Sequence, residues 1–386
     1  MNGELASGPT TSRQGEALGR GEGDESGVVL AAESVSVDYL GRRVTHAVRG
    51  VSFVLHRGEI LGIAGESGCG KSTLAYAVAH LLRPPAVLTG GRVLFTDKGT
   101  GDVVDVMALG PDELRRWRWS RVAMVFQSAM SSLNPVTSLR KQFGDIFKAH
   151  APGMDAPERD ARARELLDMV GISPDRVRSF PHELSGGMRQ RVGIAMALAL
   201  RPDVVVMDEP TTALDVVVQR EILDEVARLQ AELGFSVIFI THDVSLLLEI
   251  CDRLVVMYAG EVVESGPANA LRARPAHPYT QGLLRSTVSL FGERQELRGV
   301  PGSPPDLRLD LEGCSFAPRC EQAFGPCARV HPGLGVPRWA AQMGRADGGW
   351  EVACHLHDPA RAFKDGGAFA TELDGKAASR EGRASS

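Results

Sequence analysis

The stretch that decides the fold reads Gly65-Glu66-Ser67-Gly68-Cys69-Gly70-Lys71-Ser72-Thr73. It matches the pattern G-x-x-x-x-G-K-[ST] of phosphate-binding loops, and it lies between an apolar segment, 60–64, and a helix-like segment, 71–82. The glycines permit a tight turn that directs backbone N–H groups at phosphate oxygens, and the helix N-terminus adds positive potential. The alternative is a glycine-rich turn between a strand and a helix that binds no ligand. Because the flanking segments fit, we expect all nine residues to bind ATP.

Two residues of this loop have individual expected roles. Lys71 is expected to bridge the β- and γ-phosphates, and the Ser72 hydroxyl is expected to ligate Mg²⁺. Cys69 is interpreted as an incidental small residue of the loop and not as a nucleophile.

A second apolar segment, 204–207, ends in the carboxylate pair Asp208-Glu209. Ligands of open α/β sheets bind at the carboxyl ends of the strands, so this pair is expected near the phosphate loop. We expect Asp208 to hold Mg²⁺ through water and Glu209 to polarise the attacking water. Alone, the pattern is equally typical of a plain turn at a strand end. The phosphate loop beside it favours the catalytic interpretation.

Strand-like and helix-like segments alternate through the middle of the chain. The strand-like segments are 59–64, 121–126, 203–207, 236–240 and 253–258, and helix-like segments include 71–82, 188–200 and 216–233. This alternation predicts an α/β domain with a largely parallel central sheet. Apolar and polar residues alternate at 35–39 and 51–55, which predicts an added antiparallel sheet. The stretch from about 137 to 185 lacks strand signals and predicts a helical insertion.

Composition limits the possible functions. The content of 43% hydrophobic and 24% charged residues is typical of a globular protein, and the net charge of −5 gives no reason to expect a nucleic-acid-binding surface. No apolar run approaches the roughly 18 residues of a membrane helix, and the N-terminus lacks the apolar centre of a secretory signal. We therefore expect a cytoplasmic protein that acts on membranes only through partners. Residues 1–27 and 358–386 are poor in large apolar residues and are expected to be disordered tails.

Four further features are weak singly but informative together. Leu184-Ser185-Gly186-Gly187-Met188-Arg189-Gln190-Arg191 precedes an apolar helix that Ser185 can cap, and its glycines permit close approach of a phosphate. Gln127 follows one strand-like segment, His242 follows another, and Asp215 lies just beyond the carboxylate pair. A histidine in such a place is more often a helix cap or a partner in the core, and a glutamine at a strand end is usually an exposed polar side chain without a function.

The order and spacing of these motifs resemble the ATP-binding-cassette (ABC) ATPases over residues 33–290. The resemblance implies a P-loop NTPase with a RecA-like core, an antiparallel β subdomain and a helical signature subdomain, within a cassette at 28–290. It implies catalytic roles for Glu209, His242 and Gln127, with Gln127 also near Mg²⁺. It further implies that Tyr39 stacks on adenine and that Asp215 couples two sites. Ser185, Gly186 and Gly187 are expected to bind the γ-phosphate held by a second subunit, and Gln190 is counted with them in this signature.

Within the ABC class, the chain resembles the ATPases of oligopeptide, dipeptide and nickel importers. The segments that carry this resemblance are 127–135, 212–219, 277–280 and the C-terminal region from Val300-Pro301-Gly302. The resemblance implies a second ATPase subunit, favouring a distinct homologous chain, with two membrane permeases and an extracytoplasmic solute-binding protein. It places the chain at the cytoplasmic face of the membrane as a peripheral subunit, with no nucleic-acid partner.

The region 291–357 is expected to form a small cysteine-rich extension. It contains Cys314, Cys320, Cys327 and Cys354, whose gaps are wider than the two to four residues of paired zinc ligands. In a reducing compartment, disulfides are unfavourable, so a metal site is expected. The family resemblance favours a four-iron iron–sulfur cluster, zinc is the alternative, and free buried thiols remain a third interpretation.

Two other classes of function compete with an importer ATPase. An ABC ATPase acting on DNA or the ribosome usually contains a long coiled-coil insertion, zinc modules inside the cassette or two cassettes in one chain. This sequence has one cassette, no sustained heptads and no basic stripe. A regulatory binder without catalysis is disfavoured because Glu209 and His242 are both present.

Overall fold

The computed structural model describes residues 27–127, 133–212, 214–286, 299–342 and 349–358. The tails expected at 1–27 and 358–386 lie outside the described residues, except for Gly27 and Asp358. The segment 128–132, which is part of the importer-like motif, also lies outside them.

A seven-stranded sheet forms the centre of the described structure. In sheet order its strands are β11 (Glu351–Val352), β10 (Glu261–Pro267), β9 (Arg253–Tyr258), β3 (Ile60–Ala64), β8 (Ser236–Ile240), β7 (Val204–Asp208) and β6 (Val122–Val125). Strands β9, β3, β8, β7 and β6 run parallel, whereas at one edge β10 pairs antiparallel with β9, and β11 pairs antiparallel with β10. Every residue of β3, β7 and β8 is buried, as parallel strands covered on both faces must be. The predicted parallel central sheet is confirmed.

A second sheet of four antiparallel strands packs beside the first. Its order is β2 (Thr45–His56), β1 (Val28–Tyr39), β4 (Ala86–Thr96) and β5 (Val103–Asp105). The short segments predicted at 35–39 and 51–55 are parts of two strands of 12 residues each. Register shifts interrupt the pairing of β1 with both β2 and β4. They also interrupt the alternation of apolar and polar residues, so the sequence predicted only short parts of these strands.

Helices connect and cover these strands. In chain order they are α1 (Lys71–Val78), α2 (Pro111–Trp117), α3 (Leu139–His150), α4 (Ala156–Met169), α5 (Gly186–Ala197), α6 (Val216–Leu233), α7 (Val244–Ile250), α8 (Ala268–Ala273), α9 (Pro278–Arg285) and α10 (Arg338–Gln342). The predicted insertion at 137–185 contains α3, α4 and two short 3₁₀ turns. Phe143 and Phe147 of α3 join Leu166 and Leu167 of α4 in the apolar core and are fully buried.

The region beyond residue 299 consists of turns and short elements that pack on the cassette. Strand β11 extends the central sheet by pairing Val352 with Glu264. The Cys314 N–H donates to the Cys327 carbonyl at 2.8 Å, which closes one of the turns. In the part of the chain that the structure describes, no helix is both long and apolar enough to cross a membrane.

Candidate active site

The phosphate loop joins the buried strand β3 to α1 at the carboxyl edge of the central sheet. Its backbone takes conformations that favour glycine, with φ of 149° at Gly65 and 104° at Gly70. A Cβ atom at Gly70 would lie 2.2 Å from the Ala47 carbonyl oxygen. Any larger residue there would displace the loop from β2, so the glycine is required by the fold.

Lys71 lies inside the loop and is only 5% exposed. Its Nζ donates hydrogen bonds to the carbonyl oxygens of Gly65 at 2.8 Å and Glu66 at 3.0 Å. The loop therefore wraps a buried ammonium group, which places a full positive charge beside its N–H groups.

The thiol of Cys69 is unsuited to act as a nucleophile. Burial raises its pKa above the usual range, although the nearby Lys71 ammonium opposes this shift. A raised pKa keeps the thiol protonated at neutral pH, and the thiolate is the reactive form.

Ser72 and Asp208 meet across the first turn of α1 and the end of β7. The Ser72 hydroxyl donates to Asp208 Oδ1 at 2.9 Å, and Asp208 is 1% exposed. Burial raises the pKa of the Asp208 carboxyl, the Ser72 hydrogen bond opposes the shift and the neighbouring Glu209 charge adds to it. A buried carboxylate beside a hydroxyl is the oxygen-donor set that Mg²⁺ prefers, so these residues fit the metal expected for the class.

Glu209 lies at the centre of a polar cluster formed by three different strand ends. Its Oε2 accepts hydrogen bonds from Gln127 Nε2 at 2.6 Å and from the Thr212 hydroxyl at 3.0 Å. His242 Nδ1 lies 3.4 Å from Oε1. Glu209 also has a φ of 46°, a backbone conformation that residues other than glycine rarely adopt and that is concentrated at functional sites. The structure thus brings together Gln127, Glu209 and His242, and it adds Thr212, which the sequence reasoning missed.

Tyr39 lies at the end of β1, close to the start of α1. Its hydroxyl is 3.1 Å from the Thr73 hydroxyl, so the ring lies beside the phosphate loop. Its expected stacking on the adenine stays a prediction.

The signature residues lie around a different cavity. Ser185 caps α5 by accepting from the Met188 N–H at 3.2 Å, and Asp215 caps α6 by accepting from the Val218 N–H at 3.0 Å. Ser185, Gly186, Gly187 and Asp215 line one open cavity of about 510 Å³. A Cβ atom at Gly187 would approach a Val218 methyl carbon to 2.7 Å, so a glycine is needed for α5 and α6 to pack this closely.

Gln190 does not lie with the other signature residues. It is 2% exposed and, four residues before the buried Ile194, belongs to the face of α5 that packs inward. Its expected membership of the signature that acts on a second subunit stays a prediction.

The four C-terminal cysteines are free thiols. Within the described residues, no group of three or more His, Cys, Asp or Glu side chains lies close enough to hold a metal ion. The expected iron–sulfur cluster and the zinc alternative are therefore not supported by the side-chain positions of this structure.

The fold and this site define the class of the protein. Residues 48–212 match the family model described as ABC transporter, and residues 263–327 match the model described as oligopeptide/dipeptide transporter, C-terminal region. Among solved structures, the dimeric ATP-binding cassette MJ0796 in a post-hydrolysis state covers 62% of this chain and 98% of its own, at a TM-score of 0.54 and 29% identity. The cassette cbiO1 from Clostridium perfringens gives the same TM-score and identity over 64% of this chain and 92% of its own. The chain is an ABC ATPase.

Curated relatives identify the family within that class. The probable peptide ABC transporter ATP-binding protein y4tR of Sinorhizobium fredii is 41% identical, covering 80% of this chain and 91% of its own length. The dipeptide transport ATP-binding protein DppD of Bacillus subtilis is 42% identical over 79% of this chain and 90% of its own. The oligopeptide transport protein OppD of the same organism is 45% identical over 72% and 77%. The chain belongs to the ATP-binding subunits of the peptide ABC transporters.

Proposed function

We propose that this chain hydrolyses MgATP at an interface between two cassettes and so drives the uptake of di- or oligopeptides, or related small solutes, through partner permeases. The observation that carries the proposal is the convergence of Gln127, Glu209 and His242 beside the Ser72–Asp208 pair and the phosphate loop. The names of the curated relatives support a peptide as the solute.

ATP and Mg²⁺ are the ligands expected of an ABC ATPase. Ser72 and Asp208 would hold Mg²⁺, Gln127 would lie near it, and the bound ion would neutralise charge on the phosphates. Lys71 Nζ carries three N–H donors and now makes two hydrogen bonds to loop carbonyls, and oxygens of the β- and γ-phosphates can accept these hydrogen bonds instead. Backbone N–H groups of the loop add further donors, and Tyr39 would stack on the adenine.

Glu209 is the proposed general base. Its carboxylate would accept a proton from the attacking water, and hydrogen bonds from Gln127 and Thr212 fix its orientation. The His242 side chain lies beside Glu209 and is 59% exposed. Its imidazole can therefore reach a γ-phosphate bound outside the sheet edge. This assignment makes Glu209 the base, lets Gln127 and Thr212 orient it, and gives His242 the contact with the γ-phosphate.

We place the γ-phosphate contact of Ser185, Gly186 and Gly187 in a second subunit. These residues line a cavity that is separate from the cluster around Glu209 in this chain. Two chains meeting head to tail would bring one chain's signature helix to the other's phosphate loop, and Asp215 in the same cavity could couple the two sites. The dimeric state of the MJ0796 neighbour supports this arrangement. The proposed partners are a distinct homologous ATPase, two permeases and a solute-binding protein, with this chain at the cytoplasmic face of the membrane.

The importer function is tested by adding the partners. Vanadate-sensitive ATPase activity is expected to rise severalfold when the purified chain and its companion ATPase are reconstituted with their cognate permeases and loaded binding protein. A peptide-free binding protein serves as the control, because coupling to transport requires the solute. ATPase activity that is unchanged by the permeases, or that is stimulated instead by DNA or ribosomes, would contradict the proposal.

An iron–sulfur cluster in the C-terminal extension, with zinc as the alternative, stays a prediction. One observation favours a shared site. Burial raises the pKa of Cys354 to about 12, and the proximity of Cys314, Cys320 and Cys327 raises it further, because neighbouring thiols that ionised to thiolates would repel one another. A positively charged metal group would remove this mutual repulsion.

Metal analysis decides this prediction. Protein purified without oxygen is expected to contain iron and acid-labile sulfide and to absorb in the visible range, and Cys327→Ser is expected to lose both. Cys251→Ser, which replaces a buried thiol of the cassette, is the matched control and should retain them. A colourless, zinc-loaded preparation would establish the alternative, and a metal-free one would leave the thiols as packing groups.

A further inference from the structure

The C-terminal region reaches back to the phosphate loop through one arginine. Arg319 lies between Cys314 and Cys320, and 253 positions separate it from Glu66 of the loop. Its Nη1 donates to Glu66 Oε2 at 2.7 Å and its Nη2 donates to Glu66 Oε1 at 2.9 Å. This is the bidentate pairing in which a guanidinium and a carboxylate fix each other's orientation.

The remaining donors of Arg319 are also used. Nε donates to the Pro301 carbonyl at 2.7 Å, Nη2 to the Val300 carbonyl at 3.1 Å and Nη1 to the Tyr258 hydroxyl at 3.3 Å. With the two bonds to Glu66, all five N–H groups of the guanidinium have an acceptor. The side chain is only 5% exposed, and its charge lies 5.6 Å from the Tyr258 ring centroid. The ion pair between Arg319 and Glu66 is therefore held in place by several partners and largely desolvated on the arginine side, unlike a mobile ion pair on the surface.

Glu66 transmits this contact to the phosphate-binding lysine. Its backbone N–H donates to the Tyr279 hydroxyl at 2.8 Å, while its carbonyl accepts from Lys71 Nζ at 3.0 Å. A shift of the Glu66 side chain would thus move a carbonyl that holds Lys71. Its charge matters as well, because an uncompensated carboxylate at this position would repel the phosphates of ATP. Arg319 supplies the compensating charge.

We propose that Arg319 is a positioning residue for the ATP site: through Glu66, the C-terminal extension holds the phosphate loop in its nucleotide-binding form. This inference rests on the proposed binding of MgATP by the loop. It gives the extension a function in nucleotide affinity that is independent of any metal at its cysteines.

The test measures MgATP affinity and turnover of the full chain with its partners. We expect MgATP binding to weaken about tenfold, which equals about 1.4 kcal/mol, in both Arg319→Lys and Arg319→Ala, with kcat nearly unchanged. Arg319→Lys keeps a positive charge but cannot form the bidentate pair with Glu66. Arg308→Ala is the matched control, because Arg308 is an exposed arginine of the same extension that pairs with Asp306. Its binding constant should equal that of the parent chain. If Arg319→Ala fails to fold, Arg319→Lys carries the test.

A double-mutant cycle separates positioning from general stability. If Arg319 acts through Glu66, Arg319→Lys should change MgATP affinity less than twofold in a Glu66→Gln background. An equal loss in both backgrounds, or no loss in either, would overturn the inference. A drop in the thermal midpoint without a change in affinity would also overturn it, because that result assigns Arg319 to folding alone. Failure of the parent chain to bind MgATP would instead refute the proposed function.

Discussion

Replacing Glu209 by glutamine is expected to reduce ATP turnover at least roughly 100-fold while MgATP binding persists. Glutamine has nearly the same shape and can still accept the hydrogen bonds from Gln127 and Thr212 at its carbonyl oxygen. It cannot accept a proton from water at neutral pH. The variant should therefore retain the ground-state complex and accumulate as a stable pair of subunits in MgATP, because hydrolysis no longer separates them.

The measurement combines kcat with a size analysis in the presence and absence of MgATP. Glu232→Gln is the matched control, since it makes the same chemical change at an exposed carboxylate that pairs with Arg228 on α6. The control should hydrolyse ATP at the parental rate. A Glu209→Gln variant with parental kcat would show that another group removes the proton, and His242, 3.4 Å away, would be the next candidate.

The elements that the sequence predicted well are those whose signal is local. The strands 236–240 and 253–258 were predicted to the residue, because a strand buried on both faces is a continuous apolar run. The helix expected at 71–82 ends at Val78. His80 then adopts a φ of 52°, which an α-helix cannot accommodate. The segment contains no glycine or proline there that would predict the end of the helix.

The polar cluster around Glu209 was predictable because its members follow strands. Gln127, Glu209 and His242 come after β6, β7 and β8, which are neighbours in the parallel sheet, so their carboxyl ends meet at one edge. Thr212 could have been found by its place three residues beyond Glu209. Its hydrogen bond depends on a tight turn that composition does not specify.

Contacts between distant segments could not be predicted from one sequence. Arg319 carries no periodic or motif signal that connects it to Glu66, and β11 is only two residues long. Both depend on how the region beyond residue 299 folds back on the cassette. Gln190 shows a different limit: its place in the motif predicts a shared function with Ser185, whereas the helical repeat, which the motif does not consider, turns its side chain inward.

Replacing Lys71 by alanine is expected to impair nucleotide binding itself, in contrast to Glu209→Gln. The ammonium is 5% exposed and donates to the Gly65 and Glu66 carbonyls, so its removal leaves the loop without the positive charge around which it is wrapped. A hydrogen bond to a charged group contributes about 1.5–3 kcal/mol, so MgATP affinity should fall roughly 10- to 100-fold.

Equilibrium titration with MgATP measures this loss, and the thermal midpoint without nucleotide shows whether the chain is still folded. Lys148→Ala is the matched control, because Lys148 is an exposed lysine on α3 that pairs only weakly with Asp145, at 3.8 Å. Parental affinity in Lys71→Ala would mean that the loop N–H groups alone hold the phosphates. Weak MgATP binding in Lys71→Ala, combined with intact binding in Glu209→Gln, would assign nucleotide affinity to the loop and turnover to the carboxylate at the end of β7. The hydrogen bonds of Lys71 within the loop and those of Glu209 with Gln127 and Thr212 imply this separation of functions.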